Sequence, residues 1–314
     1  MKKTAYTIPE GFDNPTALPS GLAQARRWQE LNRNWWESHP MRYDWNEAIP
    51  HQEFSQEFYL EVDRRFFGSA RSFAPWKSVP FDSLINFAAL KAKHVLEIGV
   101  GNGSHAQLLA SHAKSFTGID LTDFAVRSTS ERMRCFQLQA RILRMDAERM
   151  DFDDSSFDFI WTWGVIHHSS NTRRILEEMH RVLKPQGEAI VMVYHRGFWN
   201  YYFMGTLLSI AEKAALKRTS LHETVQSSTD GAMARFYSIS EWKQLVSDLF
   251  AVREIRVLGQ KTDLVPLPGG SFKNAVLSLI PNPLARLMTN KCRMGSFLVA
   301  KLAKVNAGRP SASP

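Results

Sequence analysis

The sequence predicts an α/β protein built on a mostly parallel sheet. Between about residues 93 and 193, short apolar strands alternate with helical patterns, a glycine-rich loop follows the first strand directly, and acidic residues stand at the ends of the next two strands. Strands that alternate with helices imply parallel pairing with right-handed crossovers. With 314 residues, 44% of them hydrophobic, the chain is long enough for this core and for additions at both ends.

The segment before the core, residues 1–90, is predicted to form an N-terminal helical cap or arm. Prolines and glycine oppose helix formation in the first twenty residues, and helices are then predicted over 23–36, 53–67 and 81–90. Apolar residues recur at helical spacing in the second helix, so its stripe is expected to pack into a core. Four aromatic residues are also candidates to face a substrate: Tyr43, Trp45, Phe54 and Phe58.

The most informative feature is the segment 94–109, HVLEIGVGNGSHAQLL, in which an apolar strand leads into three alternate glycines. Glycine tolerates positive φ and has no Cβ, so the backbone turns sharply and a ligand can lie against it. A helix is predicted to open near Ser104, and its free N–H groups carry a partial positive charge. The pattern therefore predicts a nucleotide-cofactor loop.

The glycines do not decide which nucleotide binds. A dinucleotide loop reads G-x-G-x-x-G with an acidic residue about 20 positions further on. Here the third glycine, Gly103, comes one residue early, and Asp120 at the end of the second strand would serve either cofactor. The rest of the pattern has to distinguish the two.

The remaining core elements follow in a regular order. Their predicted bounds are a strand over 141–145 before Asp146-Ala147, a strand over 157–161, the segment WGVIHH, a helix over 171–183, the turn 184–187 and a strand over 188–193.

Two insertions are predicted after this strand, at about 196–236 and 259–293, the second irregular with one or two short helices. Between them lie a helix over 240–250 that opens with a serine cap and a strand over 252–258. A last strand is predicted over 296–302. Residues 306–314 are predicted to be a disordered tail.

Taken in order, these motifs resemble the class I S-adenosylmethionine (SAM) dependent methyltransferases, most closely the small-molecule enzymes of the ubiquinone and menaquinone type. The resemblance covers about residues 93–193. It implies a Rossmann-like, seven-stranded, mostly parallel sheet with strand order 3-2-1-4-5-7-6 and an antiparallel last strand. The matching motifs are Glu97–Gly103, Asp120, Asp146-Ala147, Phe157-Asp158, Gly164–His168 and Leu183–Gly187.

The resemblance also implies which residues hold SAM. Asp120 would accept from both ribose hydroxyls, a charge-assisted pairing, while Leu121 would pack on the adenine face. Asp146 would accept from the adenine amino group, and the backbone N–H of Ala147 would reach the ring. Glu97 would lie behind the loop near the methionine ammonium. The glycines expected at the cofactor are Gly99, Gly101, Gly103 and Gly164.

Three histidines are candidates for a catalytic base. Ligands of open parallel sheets lie outside the carboxyl ends of the strands, where His167 and His168 follow the fourth strand and His195 follows the fifth. Imidazole suits the role because its ordinary pKa is near physiological pH. His168 is the first candidate. A structural role for the histidine pair, shaping its loop, remains the alternative.

The net charge of +8 lies in the C-terminal part. Residues 1–199 hold 24 Lys/Arg and 24 Asp/Glu, whereas residues 200–314 hold 15 and 7. The same part carries two apolar stretches with basic flanks, each too short and too interrupted to span a membrane. A lid over the active site is the favoured interpretation, and peripheral contact with an anionic membrane is the alternative.

Composition and motifs argue against disulfide-stabilised, metal-binding and nucleic-acid-binding proteins. Cys135 and Cys292 stand far apart in a chain without a signal peptide, so a reducing cytoplasm is expected and no disulfide framework. No metal-ligand spacing is present, so no metal site is predicted. Nucleic acid is not favoured as a partner, because Gly164-Val-Ile-His stands where base-methylating enzymes carry an Asn/Asp-Pro-Pro-aromatic motif.

The sequence thus predicts a cytoplasmic SAM-dependent methyltransferase of a small molecule, with oxygen or carbon as the favoured acceptor atom. Two alternatives stay open. One is a membrane-surface enzyme of a lipophilic quinone-type acceptor, and the other is a non-catalytic SAM-binding regulatory protein. The sequence determines neither the acceptor nor the oligomeric state.

Overall fold

A computed structural model describes residues 8–44, 47–214, 220–265, 267 and 270–305, without the side chains of 211–214. Its centre is a single sheet of eight strands. The strands are β1 His94–Ile98, β2 Ser115–Asp120, β3 Arg141–Arg144, β4 Phe157–Trp163, β5 Leu183–His195, β6 Phe236–Tyr237, β7 Phe250–Leu258 and β8 Phe297–Lys304.

The sheet order is β3-β2-β1-β4-β5-β8-β7, with β6 paired to β5 off this path. Strand β8 is antiparallel to both β5 and β7, and the other pairs are parallel. The predicted fold and strand order are confirmed, because the order differs only by the extra strand β6. A strand of two residues is too short to give a sequence pattern, so β6 was not predicted.

Eleven α-helices are found in the described ranges. They are α1 Leu22–Ser38, α2 Gln56–Phe73, α3 Phe87–Leu90, α4 Ser104–Ala110, α5 Asp123–Cys135, α6 Thr172–Val182, α7 Met204–Ala214, α8 Leu221–Ser227, α9 Ile239–Val246, α10 Ser271–Leu279 and α11 Asn282–Arg286.

The core lies on both faces of the sheet. One apolar cluster joins Leu96 and Ile160 of the strands to α6 and α9. The other joins Val95 and Trp161 to the buried residues of α2 between Phe66 and Phe73. Because alternate residues of a strand point to opposite faces, Val95 and Leu96 serve different layers. Helix α2 therefore packs into the same core as the sheet.

Three predicted elements have different bounds. The helix expected over 81–90 exists only as α3, because Phe81 lies fully buried in a left-handed turn with φ of 65°. The helix expected over 53–67 begins instead after Ser55, whose side chain accepts from the Phe58 N–H, and runs on to Phe73. The turn 184–187 lies within β5, where the pairing with β4 shifts register.

The serine cap of α9 is also displaced from its predicted place. Ser238, two residues before the predicted Ser240, accepts from the Glu241 N–H, and the Glu241 side chain accepts from the Ser238 N–H. This reciprocal pair is a capping box, which satisfies two backbone donors at the helix start. The prediction of a helix with a serine cap was therefore right in kind and wrong in position.

Both insertions contain helices, α7 and α8 in the first and α10 and α11 in the second. Trp45 and the predicted tail over 306–314 lie outside the described residues.

The displaced cap gives a direct test. We expect Ser238→Ala to lower the free energy of unfolding by about 1 kcal/mol, because the Glu241 N–H loses its acceptor. The matched change Ser240→Ala removes no cap and should cost less than about 0.5 kcal/mol. Urea unfolding followed by circular dichroism measures both. Equal losses for the two variants would contradict the assigned cap.

Candidate active site

The glycine loop after β1 forms an open backbone cradle. Gly101 has φ of 52°, and a Cβ built there would meet no atom within 4 Å. Its neighbour Gly103 is confined instead, since a Cβ there would lie 2.9 Å from Cδ of Arg132. The loop therefore exposes bare backbone at Gly101 while Gly103 packs against helix α5.

Helix α5 fixes this loop with side chains from one of its faces. The Thr129 hydroxyl donates to the Gly101 carbonyl at 3.0 Å, and the Ser128 hydroxyl donates to Oδ1 of Asn102 at 2.8 Å. The fully buried Arg132 donates to the Asn102 carbonyl and pairs with Asp63 of α2. One guanidinium thus ties the loop to the N-terminal cap.

Asp120, at the carboxyl end of β2, faces the loop. Its Oδ1 accepts from the backbone N–H and the hydroxyl of Thr122, and its Oδ2 accepts from the Gly101 N–H at 3.2 Å. Burial raises the pKa of this carboxyl above its ordinary value, while these three donors oppose the rise. A carboxylate oxygen has two lone pairs, so Oδ2 keeps capacity for a further donor.

Glu97 lies behind the loop and is 2% exposed. Its Oε2 has no hydrogen-bond partner, and its Oε1 is 3.9 Å from Nδ1 of His105. Burial, followed by the nearby Asp120 charge, raises the pKa of Glu97 well above its ordinary value. A buried carboxyl oxygen without a partner is costly, so this position suits a donor brought by a ligand.

Asp146 follows β3 and is held by helix α1. Its Oδ1 accepts from Nε2 of Gln29 at 2.8 Å and from the Glu148 N–H at 2.9 Å. The Gln29 side chain also accepts from the Ser170 N–H, so α1 bridges two loops of the sheet edge. Burial raises the pKa of Asp146.

Several of these groups, among them Gly101, Asp120 and Asp146, line one cavity of about 1030 Å³ at the carboxyl ends of the strands. Of the predicted cofactor residues, Glu97 and Gly103 are not among those that line it. The predicted residues that do line it are Gly99, Gly101, Asp120, Leu121, Asp146, Ala147 and Gly164.

The three histidine candidates are separated by the structure. His168 lines the cavity, and its Nδ1 lies 2.7 Å from the Met233 carbonyl. Because a carbonyl only accepts, Nδ1 carries the proton and Nε2 keeps its lone pair. Burial lowers the pKa of His168 to about 4. The ring is therefore neutral at physiological pH, with the Nε2 lone pair available, and it is a weaker base than an ordinary histidine.

The other two histidines lie elsewhere. His167 is fully buried between the rings of His168 and Tyr194, neither of its ring nitrogens is hydrogen bonded, and burial lowers its pKa well below the ordinary value. His195 donates to the Gly295 carbonyl and lines a separate surface groove. The structure thus brings only His168 of the three to the cavity.

Aromatic and acidic groups from distant segments complete the lining of the cavity. Tyr43 and Tyr194 both line it, and the charge of Asp230 adds to burial in raising the pKa of each phenol. Trp36 packs edge-on against the His168 ring, with centroids 5.0 Å apart. Asp230 belongs to the loop after α8, whereas α7 contributes no described residue to the lining. Part of the first insertion thus lines the cavity, whereas the described side chains of α7 do not, and the lid stays a prediction.

Sequence reasoning had proposed Tyr43 but missed Gln29, Trp36 and Asp230. These three come from α1 and from the loop after α8 and belong to no motif, so only folding brings them together. The glycine at 231 is the one indication in the sequence that the backbone here lies close to another group. In the structure, a Cβ at Gly231 would lie 2.5 Å from Nδ1 of His168.

Comparison with known proteins defines the class. Residues 96–191 match the family described as a methyltransferase domain. Together with the strand order, this confirms the predicted resemblance: the chain contains a class I, SAM-dependent methyltransferase domain, and SAM is its cofactor. The matched segment covers β1 to β5 and includes the glycine loop.

Two curated relatives are similar over this domain. Phthiotriol/phenolphthiotriol dimycocerosates methyltransferase of Mycobacterium tuberculosis is 38% identical over 100 residues, which is 31% of this chain and 36% of that protein. Ubiquinone biosynthesis O-methyltransferase of Coxiella burnetii is 27% identical over 114 residues, which is 36% of this chain and 49% of that protein. The chain thus matches less than half the length of either relative.

A solved structure shows the same fold over a longer span. Geranyl diphosphate C-methyltransferase of Streptomyces coelicolor A3(2) superposes with a TM-score of 0.53, covers 88% of this chain and 98% of its own, and is 14% identical. At that identity the likeness concerns the fold alone.

Two further features of the described residues bear on function. No group of three or more metal-ligating side chains occurs among them. None of their helices has the length and apolarity required to cross a membrane.

The buried Arg132 gives a test of how the loop is held. We expect Arg132→Met to lower the free energy of unfolding by about 3–5 kcal/mol, because Asp63 and the Asn102 carbonyl lose their partner. SAM affinity should also fall. The control Arg134→Met breaks only an exposed pair with Glu131 and should cost about 0–1 kcal/mol. Urea unfolding and calorimetry measure the two effects, and equal stability of both variants would refute the clamp.

Proposed function

We propose that the chain is an enzyme that transfers the methyl group of SAM to a small lipophilic acceptor, at oxygen or carbon. The observation that carries this proposal is one cavity that joins the glycine loop and Asp120 to an aromatic compartment with a neutral histidine. In this proposal residues 1–90 act as a cap and residues 91–305 as the catalytic unit.

The acceptor groups and the exposed backbone of the site fit SAM. Asp120 has acceptor capacity for ribose hydroxyls, and Gly101 leaves room for a ligand against its backbone. Glu97 is assigned to the methionine ammonium from behind the loop, because its Oε2 has no partner although the residue does not line the cavity. Asp146, with one oxygen already held by Gln29, is assigned to the adenine amino group. Leu121, Ala147, Gly99 and Gly164 complete the binding surface.

Bound SAM supplies an electrophilic methyl carbon. Methyl transfer depends largely on positioning the acceptor, and we assign this to the rings of Trp36, Tyr43 and Tyr194, which line the cavity. Nε2 of His168 takes up the proton that the reacting oxygen or carbon of the methyl acceptor loses. The hydrogen bond from Nδ1 to the Met233 carbonyl holds the ring in the tautomer that this requires. His167 supports that ring from behind.

The relatives support an acceptor of this class without identifying it. One carries phthiotriol dimycocerosates in its name and the other belongs to ubiquinone biosynthesis. A quinone-type acceptor at a membrane surface is therefore the second candidate. A non-catalytic SAM-binding protein is the alternative from a different class, and it would bind SAM without transferring methyl to any member of an acceptor panel.

Asp120→Ala tests the cofactor site. We expect at least a hundredfold loss of SAM affinity, about 3 kcal/mol, because a charge-assisted acceptor is removed from a buried site. Isothermal calorimetry measures this. The control Asp123→Ala removes a neighbouring carboxylate that is exposed and paired with Arg144, and it should leave the affinity unchanged. Unchanged affinity in Asp120→Ala would refute the assigned role.

His168→Ala tests the base. We expect kcat to fall by about 10²–10⁴-fold while SAM affinity stays the same. His195→Asn, which keeps a donor for the Gly295 carbonyl, should retain kcat within about twofold, since the residue lies outside the cavity. A kcat in His168→Ala equal to that of the wild type would exclude His168 as the base.

The pH profile provides an independent measurement. The base acts when neutral, and its pKa is lowered to about 4. Protonation therefore removes activity only as the pH falls towards that value, and kcat/KM should stay level through the neutral range. An acid limb centred near the ordinary histidine pKa of about 6.5 would contradict this environment.

A further inference from the structure

The C-terminal part exposes large apolar side chains on two segments. One is the π-helical turn 198–203 with α7, and the other comprises α10, α11 and the turn that follows. Phe198 is 78% exposed, Phe272 72% and Leu279 82%. Most of the exposed large apolar residues in the described part of the chain belong to these segments. Others in the two segments are Leu208, Ile210 and Leu287.

The two segments are joined in the fold. Nε1 of Trp199 donates to the Asp263 carbonyl at 2.9 Å, which fixes the π-helical turn on the short helix 261–264. That short helix also contacts α11. Met294 packs with Leu264 in the apolar cluster of α10 and α11 and also lines a groove with Phe198. The two segments therefore belong to one connected part of the fold.

Basic residues border this region. The groove beside Phe198, about 590 Å³ in volume, is lined by Lys243 and Arg293 and by no acidic residue of the described chain. Lys291 is exposed two residues before Arg293. We call the exposed apolar side chains of 198–210 and 272–287, together with these three cations, the docking surface.

We propose that the docking surface binds an anionic lipid bilayer. Apolar side chains bordered by lysine and arginine partition into the headgroup region, where each cation near an anionic surface adds attraction. The distribution of charge supports an anionic bilayer as the partner, because the whole positive excess of the chain lies in residues 200–314.

The position of the docking surface matters for the acceptor. Asp263, whose carbonyl holds Trp199, also lines the active-site cavity. The docking surface therefore adjoins the wall of the cavity. This consequence rests on the proposed function: a lipophilic acceptor would reach the cavity from the bilayer. Binding to the bilayer itself does not depend on methyl transfer and is tested separately.

The experiment is co-sedimentation of the full chain with phosphatidylcholine vesicles that contain or lack phosphatidylglycerol. We expect binding to the anionic vesicles at about 0.1 M salt and a marked loss at about 1 M, where the screening length falls from about 10 Å to about 3 Å. Lys243→Gln with Arg293→Gln should weaken binding by roughly 10- to 30-fold. Phe198→Ser with Phe272→Ser should weaken it at least about tenfold.

Matched controls separate this surface from general effects. Leu22→Ser changes an apolar residue of α1 that is 80% exposed, and Lys91→Gln with Lys114→Gln removes two exposed charges at the amino edge of the sheet. Both should bind vesicles like the wild type. Thermal unfolding checks that each variant is folded.

Three outcomes would overturn the inference. One is a wild-type chain that binds SAM in calorimetry but no vesicles. Another is equal loss of binding in the control variants. The third is a dimer in light scattering that Phe198→Ser with Phe272→Ser converts to a monomer, with no vesicle-bound fraction, because a second copy would then cover the surface. Vesicle binding without SAM binding would instead refute the proposed function and leave this inference intact.

Discussion

The site depends on the contacts that the buried guanidinium of Arg132 makes with the glycine loop and with α2. The guanidinium donates to the Asn102 carbonyl of the glycine loop and forms an ion pair with Asp63 of α2. One side chain therefore connects two segments that are distant in sequence. Burial alone would make this charge costly, and the fixed partners compensate for it. Arg132 also confines Gly103, which holds this end of the loop, and the bare backbone at Gly101 is left lining the cavity.

A second buried arginine organises the opposite side of the cavity. Arg235 donates to the carbonyls of Ala17, Ser169 and Ser170, and its own N–H donates to the His167 carbonyl. It therefore joins the N-terminal arm, the histidine segment and β6. The cap, the sheet and the first insertion are held together by polar contacts as well as apolar packing. Such networks are stable only when every member has a partner.

The chemistry of the site follows from this arrangement. Carboxylates gather near the glycine loop, where they have unused acceptor capacity, and aromatic rings gather around His168, where burial keeps the imidazole neutral. The cavity thus combines carboxylates suited to a nucleoside cofactor with aromatic rings suited to an acceptor, and Asp230 lies among the latter. It lies at the carboxyl ends of the strands, as expected for an open parallel sheet.

The sequence by itself determined the strands of the core and the positions of Asp120 and Asp146, because these depend on local strand patterns and glycine-rich turns. The order of the strands in the sheet was implied only by the resemblance to class I methyltransferases. Local patterns did not reveal the short strand β6 or the left-handed turn at Phe81, since pairing and burial impose both. They also could not distinguish His168 from His195, which follow neighbouring strands. Only the tertiary structure did so, because cavity walls are formed by residues such as Gln29 and Asp230 that no local pattern connects.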